Sequence, residues 1–277
     1  MAILTDYHCH TNISLDGKSS VADMALAEYA AGVRRLCFTD HCDPVDWHTL
    51  EFYPRCRQVA RLEHEALEAC RDRLPSDLEV RLGIELGESH FYPEVAKELA
   101  ASPWLDFVLG SYHITKEYGD YYWIHYESVE QCDKLFDLYL DNLQAIAEAD
   151  FFDVMAHIGY FRRYAWQQGV DATLTLDKFG EKVDRLLCTI IANGKGIECN
   201  CSGIRDGCGP FPSPEILRRY KSLGGEIVTV GSDAHCTADA AKCLREGCDV
   251  LRTAGFAYVA TFKKHKPEFI KIGRAHV

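Results

Sequence analysis

Residues 7–12 read Tyr7-His8-Cys9-His10-Thr11-Asn12, entered from the short apolar run Ala2 to Leu4. On a β-strand, residues two apart share a face, so His8 and His10 aim both imidazoles at one point. Two neutral imidazoles converging at a strand end suit a transition metal such as zinc, iron or manganese. A His-x-His pair alone is a weak sign. Its weight comes from the rest of the chain, where further strand-like runs also deliver His, Asp or Glu. Arg35 to Asp40 delivers His41, Leu78 to Ile84 delivers Glu85, and Phe107 to Ser111 delivers His113. Phe151 to Ala156 delivers His157, and Glu226 to Val230 delivers Gly231-Ser232-Asp233-Ala234-His235.

Helical stretches separate these strands. Ser19 or Ser20 caps a helix over Val21 to Ala31 that Gly32 closes. Further helices are expected over Pro54 to Arg73, Val129 to Ala149, Leu176 to Asn193 and Ala238 to Ala254. Another, after the Gly/Pro-rich loop Gly203 to Pro214, ends at Gly224-Gly225. Gly196 to Asn200 reads as a further strand, and one near Tyr258 to Phe262 finishes the fold. Repeated βα units imply a parallel sheet, and seven or eight of them in a single domain imply a closed α/β barrel. Such barrels carry their active sites at the C-terminal strand ends, where these candidates fall. An open doubly wound sheet is the alternative, but ligands from so many strands would hardly converge along one open edge.

The 277 residues, 47% hydrophobic and 26% charged, have the composition of an ordinary globular protein. No apolar run approaches the roughly 20 residues of a transmembrane helix, and Met-Ala-Ile-Leu-Thr-Asp lacks the features of a secretory signal. The chain reads as cytoplasmic, with no membrane partner. Thirteen cysteines in an alternating α/β chain read as free thiols. Cys199 and Cys201 imitate a metal pair but read better as small apolar fillers. A net charge of −12 argues against nucleic-acid binding, yet leaves room for an anionic substrate whose charge metals and arginines offset locally. Oligomeric state is left open. Residues 272–277, Ile272-Gly273-Arg274-Ala275-His276-Val277, resemble the translation of a sequencing-adapter sequence. They are set apart from domain 1–271 as a non-native tail, and His276 enters no site argument.

The candidate ligands are His8, His10, Asp16, His41, Glu85, His113, His157, Asp233 and His235. Each alone has a bland explanation: Asp16-Gly17 as a turn, Asp40-His41 or Asp233 as a helix cap, His113 or His157 as a bonded core histidine. Together, at successive strand ends, they do not. Glu88 competes with Glu85, and placement at the strand end favours Glu85. His48, His64, His90, His125 and His265 read as surface or structural.

The blocks His8-x-His10, Thr39-Asp40-His41, Gly83-Ile84-Glu85, Gly110-Ser111-x-His113, His157 and Gly231-Ser232-Asp233-Ala234-His235 resemble the PHP (polymerase and histidinol phosphatase) superfamily, in its order and over nearly the whole chain. Asp16-Gly17, the run His157 to Tyr164 and the run Glu198 to Arg205 are similar to its monofunctional histidinol-phosphate phosphatases. The resemblance implies a distorted TIM-like (β/α)7 barrel holding three divalent metal ions, Zn, Mn or Fe. By position, His8, His10, Glu85 and Asp233 hold the first metal. Glu85 bridges to a second, completed by His113 and His157, and Asp16, His41 and His235 hold the third. Many members have a His where this chain has Asp16, and the carboxylate widens the choice toward manganese or magnesium.

Such a cluster suits phosphate-monoester hydrolysis, by attack of a metal-bridging hydroxide and with no protein nucleophile. The expected reaction is histidinol phosphate plus water to histidinol plus inorganic phosphate. Arg163 and Arg205 are the candidates for gripping the phosphoryl group, with Arg162 the fallback for Arg163. The Glu117 to Tyr126 loop, with Asp120, Tyr121, Tyr122 and Trp123, offers acidic and aromatic walls for an ammonium and an imidazole. The rivals are a PHP phosphoesterase acting on a nucleotide or sugar phosphate, and a non-catalytic metal-binding module. A proofreading nuclease is disfavoured by the charge.

Overall fold

The computed structural model describes residues 3–273; Arg274 to Val277 of the proposed tail, His276 included, lie outside them. Seven parallel strands form one sheet in the order β1 (Leu4–Asp6), β2 (Val33–Phe38), β3 (Glu79–Gly87), β4 (Phe107–Ser111), β7 (Val154–Met155), β8 (Gly196–Asn200) and β9 (Val228–Gly231). The sheet curls until its edges meet. The Tyr7 amide donates to Val230 O at 3.0 Å, the Asp233 amide to His8 O at 2.8 Å and the His10 amide to Ala234 O at 2.9 Å. The result is the distorted (β/α)7 barrel that the strand pattern implies.

Helices α1 (Val21–Ala30), α2 (Val59–Cys70), α3 (Pro93–Ala100), α4 (Val129–Ala149), α6 (Leu176–Ala192), α8 (Pro214–Ser222) and α9 (Leu244–Thr253) cover the outside. Two shorter ones, α5 (Arg162–Gln167) and α7 (Ser202–Arg205), follow β7 and β8. Alternation along the strands divides the core. Leu36, Phe38, Leu82, Ile84, Leu86, Val108, Ile197, Val228 and Val230 face the helices. Cys37, Phe107, Leu109 and Val154 face inward with Tyr7. The N-terminal mouth is stoppered by a hairpin of β10 (Tyr258–Lys263) and β11 (Lys266–Lys271). The Phe262 ring packs tilted against Phe107 with centroids 4.8 Å apart, and its amide donates to the Tyr7 hydroxyl at 3.0 Å.

Several boundaries differ from expectation. Glu85 lies inside β3, which runs on to Gly87, instead of following a strand that ends at Ile84. The segment Pro54 to Arg73 breaks into 3-10 turns on either side of α2. The aromatic loop contains a two-stranded ribbon, β5 (Ile114–Thr115) with β6 (Gly119–Asp120), and a 3-10 turn at Tyr121–Trp123. The last long helix begins at Leu244, because a 3-10 turn occupies Thr237–Asp239. All thirteen cysteines are free. Cys199 and Cys201 are fully buried in the outer core, and among the described residues no cysteine joins a metal-capable group. No helix among the described residues is long and apolar enough to cross a membrane.

His90 is structural, its Nε2 lying 2.9 Å from Asn142 Oδ1 on α4. Burial pushes its pKa down from 6.5 to about 4. With the folded value depressed, the unfolded chain takes up the proton first, so this contribution is intact above 6.5 and lost as pH falls toward 4. His90→Gln is therefore expected to flatten that acid-side loss. Urea denaturation of both proteins at about pH 7 and 5 measures it; identical pH dependence refutes it.

Candidate metal centre

The inner face of β3 is shaped around one side chain. Gly83 and Gly87 flank Glu85 on that face, and a methyl group on Gly83 would come to 2.8 Å from Phe107 O. Glu85, 1% exposed, is thus free to be surrounded. Its Oε1 lies 2.7 Å from His157 Nε2 and 3.1 Å from His113 Nε2. Its Oε2 lies 3.1 Å from His41 Nδ1, 3.3 Å from His8 Nε2 and 3.4 Å from His10 Nε2.

The histidines are aimed by partners behind them. His8 Nδ1 is 2.8 Å from Glu198 Oε1, and the other oxygen of Glu198 accepts the His157 amide at 2.9 Å. Glu198 and Asn200 occupy the inner face of β8, both fully buried. His10 Nδ1 lies 3.2 Å from Ser14 Oγ, in a loop that Asp40 ties down by accepting from Thr11 and Ser14. With Nδ1 engaged, the Nε2 atoms of His8 and His10 face each other at 3.1 Å and face Asp233 Oδ1 at 3.7 and 3.5 Å. His157 and Asp233 take positive φ, +24° and +56°, which a strand residue avoids; the turn throws each side chain back over the barrel mouth.

On the outer side Asp16 Oδ2 lies 3.1 Å from His235 Nε2 and 3.8 Å from His41 Nε2, and the His10 and His235 rings stack at 4.0 Å. Four overlapping groups have donor atoms within 4.8 Å of one another: His8·His10·Asp233, His8·Glu85·His157, His41·Glu85·His113 and His10·His41·His235. Eight of the nine sequence-derived candidates come together in this way, and the ninth, Asp16, adjoins them through His235 and His41. The set fits divalent cations. Imidazole lone pairs pointed at one another repel, and a cation between them, with carboxylates on its flanks, removes that cost.

Electrostatics point the same way. Burial works to raise Glu85, but the surrounding His41, His8 and His113 hold it well below the ordinary carboxylate range. Burial likewise opposes ionisation of Asp233, and His8, His10 and Arg163 overcome it. Among the histidines, burial and the neighbours His235 and His41 push His10 down to about 3. His113, despite burial, is pulled up to about 10 by Glu85. The carboxylates are held ready as anions whose charge only a cation or protonated imidazoles can balance.

Above this floor opens a cavity of about 690 Å³. Lys18, Trp47, Asp120, Tyr122, Trp123, Tyr160, Arg163, Tyr164 and Asp206 line it, together with all the donors except the buried His8 and His10. Arg163 stands on the wall with Nη2 3.1 Å from Asp233 Oδ2, and its Nε has no partner. Arg205 is not among the lining residues and donates to Ser232 O at 3.2 Å. Arg162 is spent on the loop, donating to Ala172 O, Cys208 O and Asp171, so it is no fallback for Arg163. Of the aromatic loop, Asp120, Tyr122 and Trp123 reach the cavity, whereas Tyr121 is buried and stacked on Phe161 at 4.6 Å. His48, read as surface or structural, is exposed and stands on the cavity rim.

Sequence reasoning assigned no role to Glu198, Asn200 or Asp40. Glu198 and Asn200 announce themselves as polar residues alternating with Ile197 and Cys199 in a buried strand, a placement that burial would penalise without partners.

A probable histidinol-phosphatase of Thermotoga maritima is 25% identical over 93% of this chain and 95% of its own length. A histidinol-phosphatase of Lactococcus lactis is 23% identical over 94% of this chain and 95% of its own. The crystal structure of the L. lactis histidinol phosphate phosphatase, complexed with zinc, L-histidinol and phosphate, superposes with a TM-score of 0.75 at 21% identity, covering 96% of this chain and 98% of that one. The PHP domain pattern matches residues 6–202, from β1 through the start of α7, and the chain belongs to the PHP domain family.

Proposed function

We propose that the protein is a metal-dependent phosphatase that hydrolyses histidinol phosphate to histidinol and inorganic phosphate. The observation that carries this reading is the convergence of His, Asp and Glu donors around Glu85 beneath a cavity that also presents Arg163. Three divalent cations would share them: His8, His10, Glu85 and Asp233; Glu85, His113 and His157; Asp16, His41 and His235. Zinc, manganese and iron all suit imidazole with carboxylate. Cations held there would acidify a water and offset charge on the phosphoryl oxygens.

The chain's own groups supply the rest. Arg163 lines the cavity, and with Nη1 no closer than 3.8 Å to Asp206 its terminal N–H groups are left for phosphoryl oxygens. Asp120 and Asp206 place negative charge where the substrate's ammonium and imidazole would lie. Trp47, Tyr122, Trp123 and Tyr164 provide aromatic wall and narrow the path of water. Glu198 holds His8 in one orientation throughout. The L. lactis structure with zinc, L-histidinol and phosphate supports the choice of substrate.

The test is phosphate release from histidinol phosphate, nucleotide monophosphates and sugar phosphates, with and without a chelator. Histidinol phosphate should be preferred by about tenfold or more in kcat/KM, a margin of about 1.4 kcal/mol. Chelation should abolish turnover, and added zinc or manganese should restore it. Full activity after metal removal would sink the metallohydrolase reading; preference for another ester would move the substrate.

A further inference from the structure

Two buried carboxylates on the far side of His113 belong to none of the ligand sets above. Asp43 lies two residues beyond His41, and Glu88 directly follows β3; they are 5% and 0% exposed. Glu88 adopts φ +44°, uncommon for a residue with a side chain. Its Oε1 accepts the amides of His113 at 2.6 Å and Ile114 at 3.0 Å, while its Oε2 is buried with no partner. Asp43 Oδ1 accepts the Gly87 amide at 3.1 Å, and Oδ2 accepts the Trp47 indole N–H at 2.9 Å.

His113 completes the group. One of its nitrogens lies within 4.8 Å of an oxygen on each carboxylate. Its Nε2 faces Glu85 at 3.1 Å, and its Nδ1 is buried without a partner. A methyl group on Gly87 would collide with Asp43 Oδ1 and come to 3.7 Å from His113 Nδ1, so Gly87 is what lets these groups approach. An imidazole that offers Nε2 to a cation carries its proton on Nδ1. That N–H lacks an acceptor, and Glu88 Oε2 lacks a donor.

We propose that Glu88, backed by Asp43, is a positioning residue for His113. The pair takes up the Nδ1–H and so fixes the tautomer that presents the Nε2 lone pair toward Glu85. Asp43 also ties this arrangement to Trp47 on the cavity wall. The inference rests on the metal reading above.

Glu88→Gln is the discriminating variant. Its side-chain oxygen can still accept the His113 and Ile114 amides, so the loop keeps its anchor. Its NH₂ would then face Nδ1 and favour the opposite tautomer, with the proton on Nε2. Metal-free protein titrated with zinc against a chromophoric chelator should show one equivalent weakened about 10- to 100-fold, the others unchanged. Asp43→Asn should weaken the same equivalent. In zinc-loaded, ¹⁵N-histidine-labelled protein, wild type should show a protected His113 Nδ1–H resonance that Glu88→Gln loses, a change that a merely structural role would not produce. Wild-type zinc affinity at every equivalent in Glu88→Gln, with the resonance retained, overturns the positioning role alone. A wild-type protein that binds no zinc overturns the metallophosphatase reading and this inference with it.

Discussion

Replacing Glu85 by glutamine is expected to cost at least about 10³-fold in kcat/KM, about 4 kcal/mol of transition-state stabilisation. The substitution keeps the shape but removes the charge that five imidazole nitrogens surround at 2.7 to 3.4 Å. Those imidazoles stay fixed by Glu198, Ser14 and the backbone, so the fold should survive while the cation sites fail. Metal content by mass spectrometry should fall with the activity. A glutamine variant that keeps both full metal content and turnover would mean that the centre of the cluster lies elsewhere.

Arg163→Ala should produce the second largest loss, about 10²- to 10³-fold in kcat/KM, because a guanidinium holding two phosphoryl oxygens acts mainly on the transferring group. Here metal content should be unchanged. That contrast matters because Arg163 also touches Asp233 at 3.1 Å. A fall in metal content would recast Arg163 as support for the Asp233 carboxylate, and an unchanged kcat/KM would rule out the phosphate role. Product inhibition by inorganic phosphate should weaken in parallel.

The barrel was readable because its strands carry two signals at once, an apolar outward face and a ligand near the C-terminal end. Phe107 to Ser111, which leads to His113, matches its predicted limits for that reason, and Gly196 to Asn200 matches on its apolar outward face alone. The hairpin strand Lys266–Lys271 carries no such mark. It is almost wholly exposed and half of its residues are charged, and only its pairing with Tyr258–Lys263 makes it a strand. Helix α3 was legible in principle from Pro93 at its first turn and the inward pair Ala96 and Leu99, but eight residues give a weak period. In the site, histidines stand out because they are rare and fall at strand ends. Their supports do not: Asp43 and Glu88 look like ordinary loop carboxylates until the backbone turns them inward, Glu88 through its positive φ. Arg163 is preferred from the sequence with its neighbour Arg162 as fallback, and the short helix α5 sends Arg163 to the cavity and Arg162 to Ala172 O.

Closure of the sheet joins segments far apart on the chain, Tyr7 with Val230 and His10 with Ala234, and the hairpin adds Phe262 to Tyr7 across a separation of 255 residues. During synthesis His8 and His10 leave the ribosome more than two hundred residues ahead of Asp233 and His235. A nascent chain therefore cannot assemble the innermost donor group until more than two hundred residues beyond His10 have been made. Contacts this distant in sequence form slowly, and until they do the early histidines are loose imidazoles on an unclosed sheet. Any cation these donors hold would be captured late in folding, where it would stabilise the closed barrel over the open sheet.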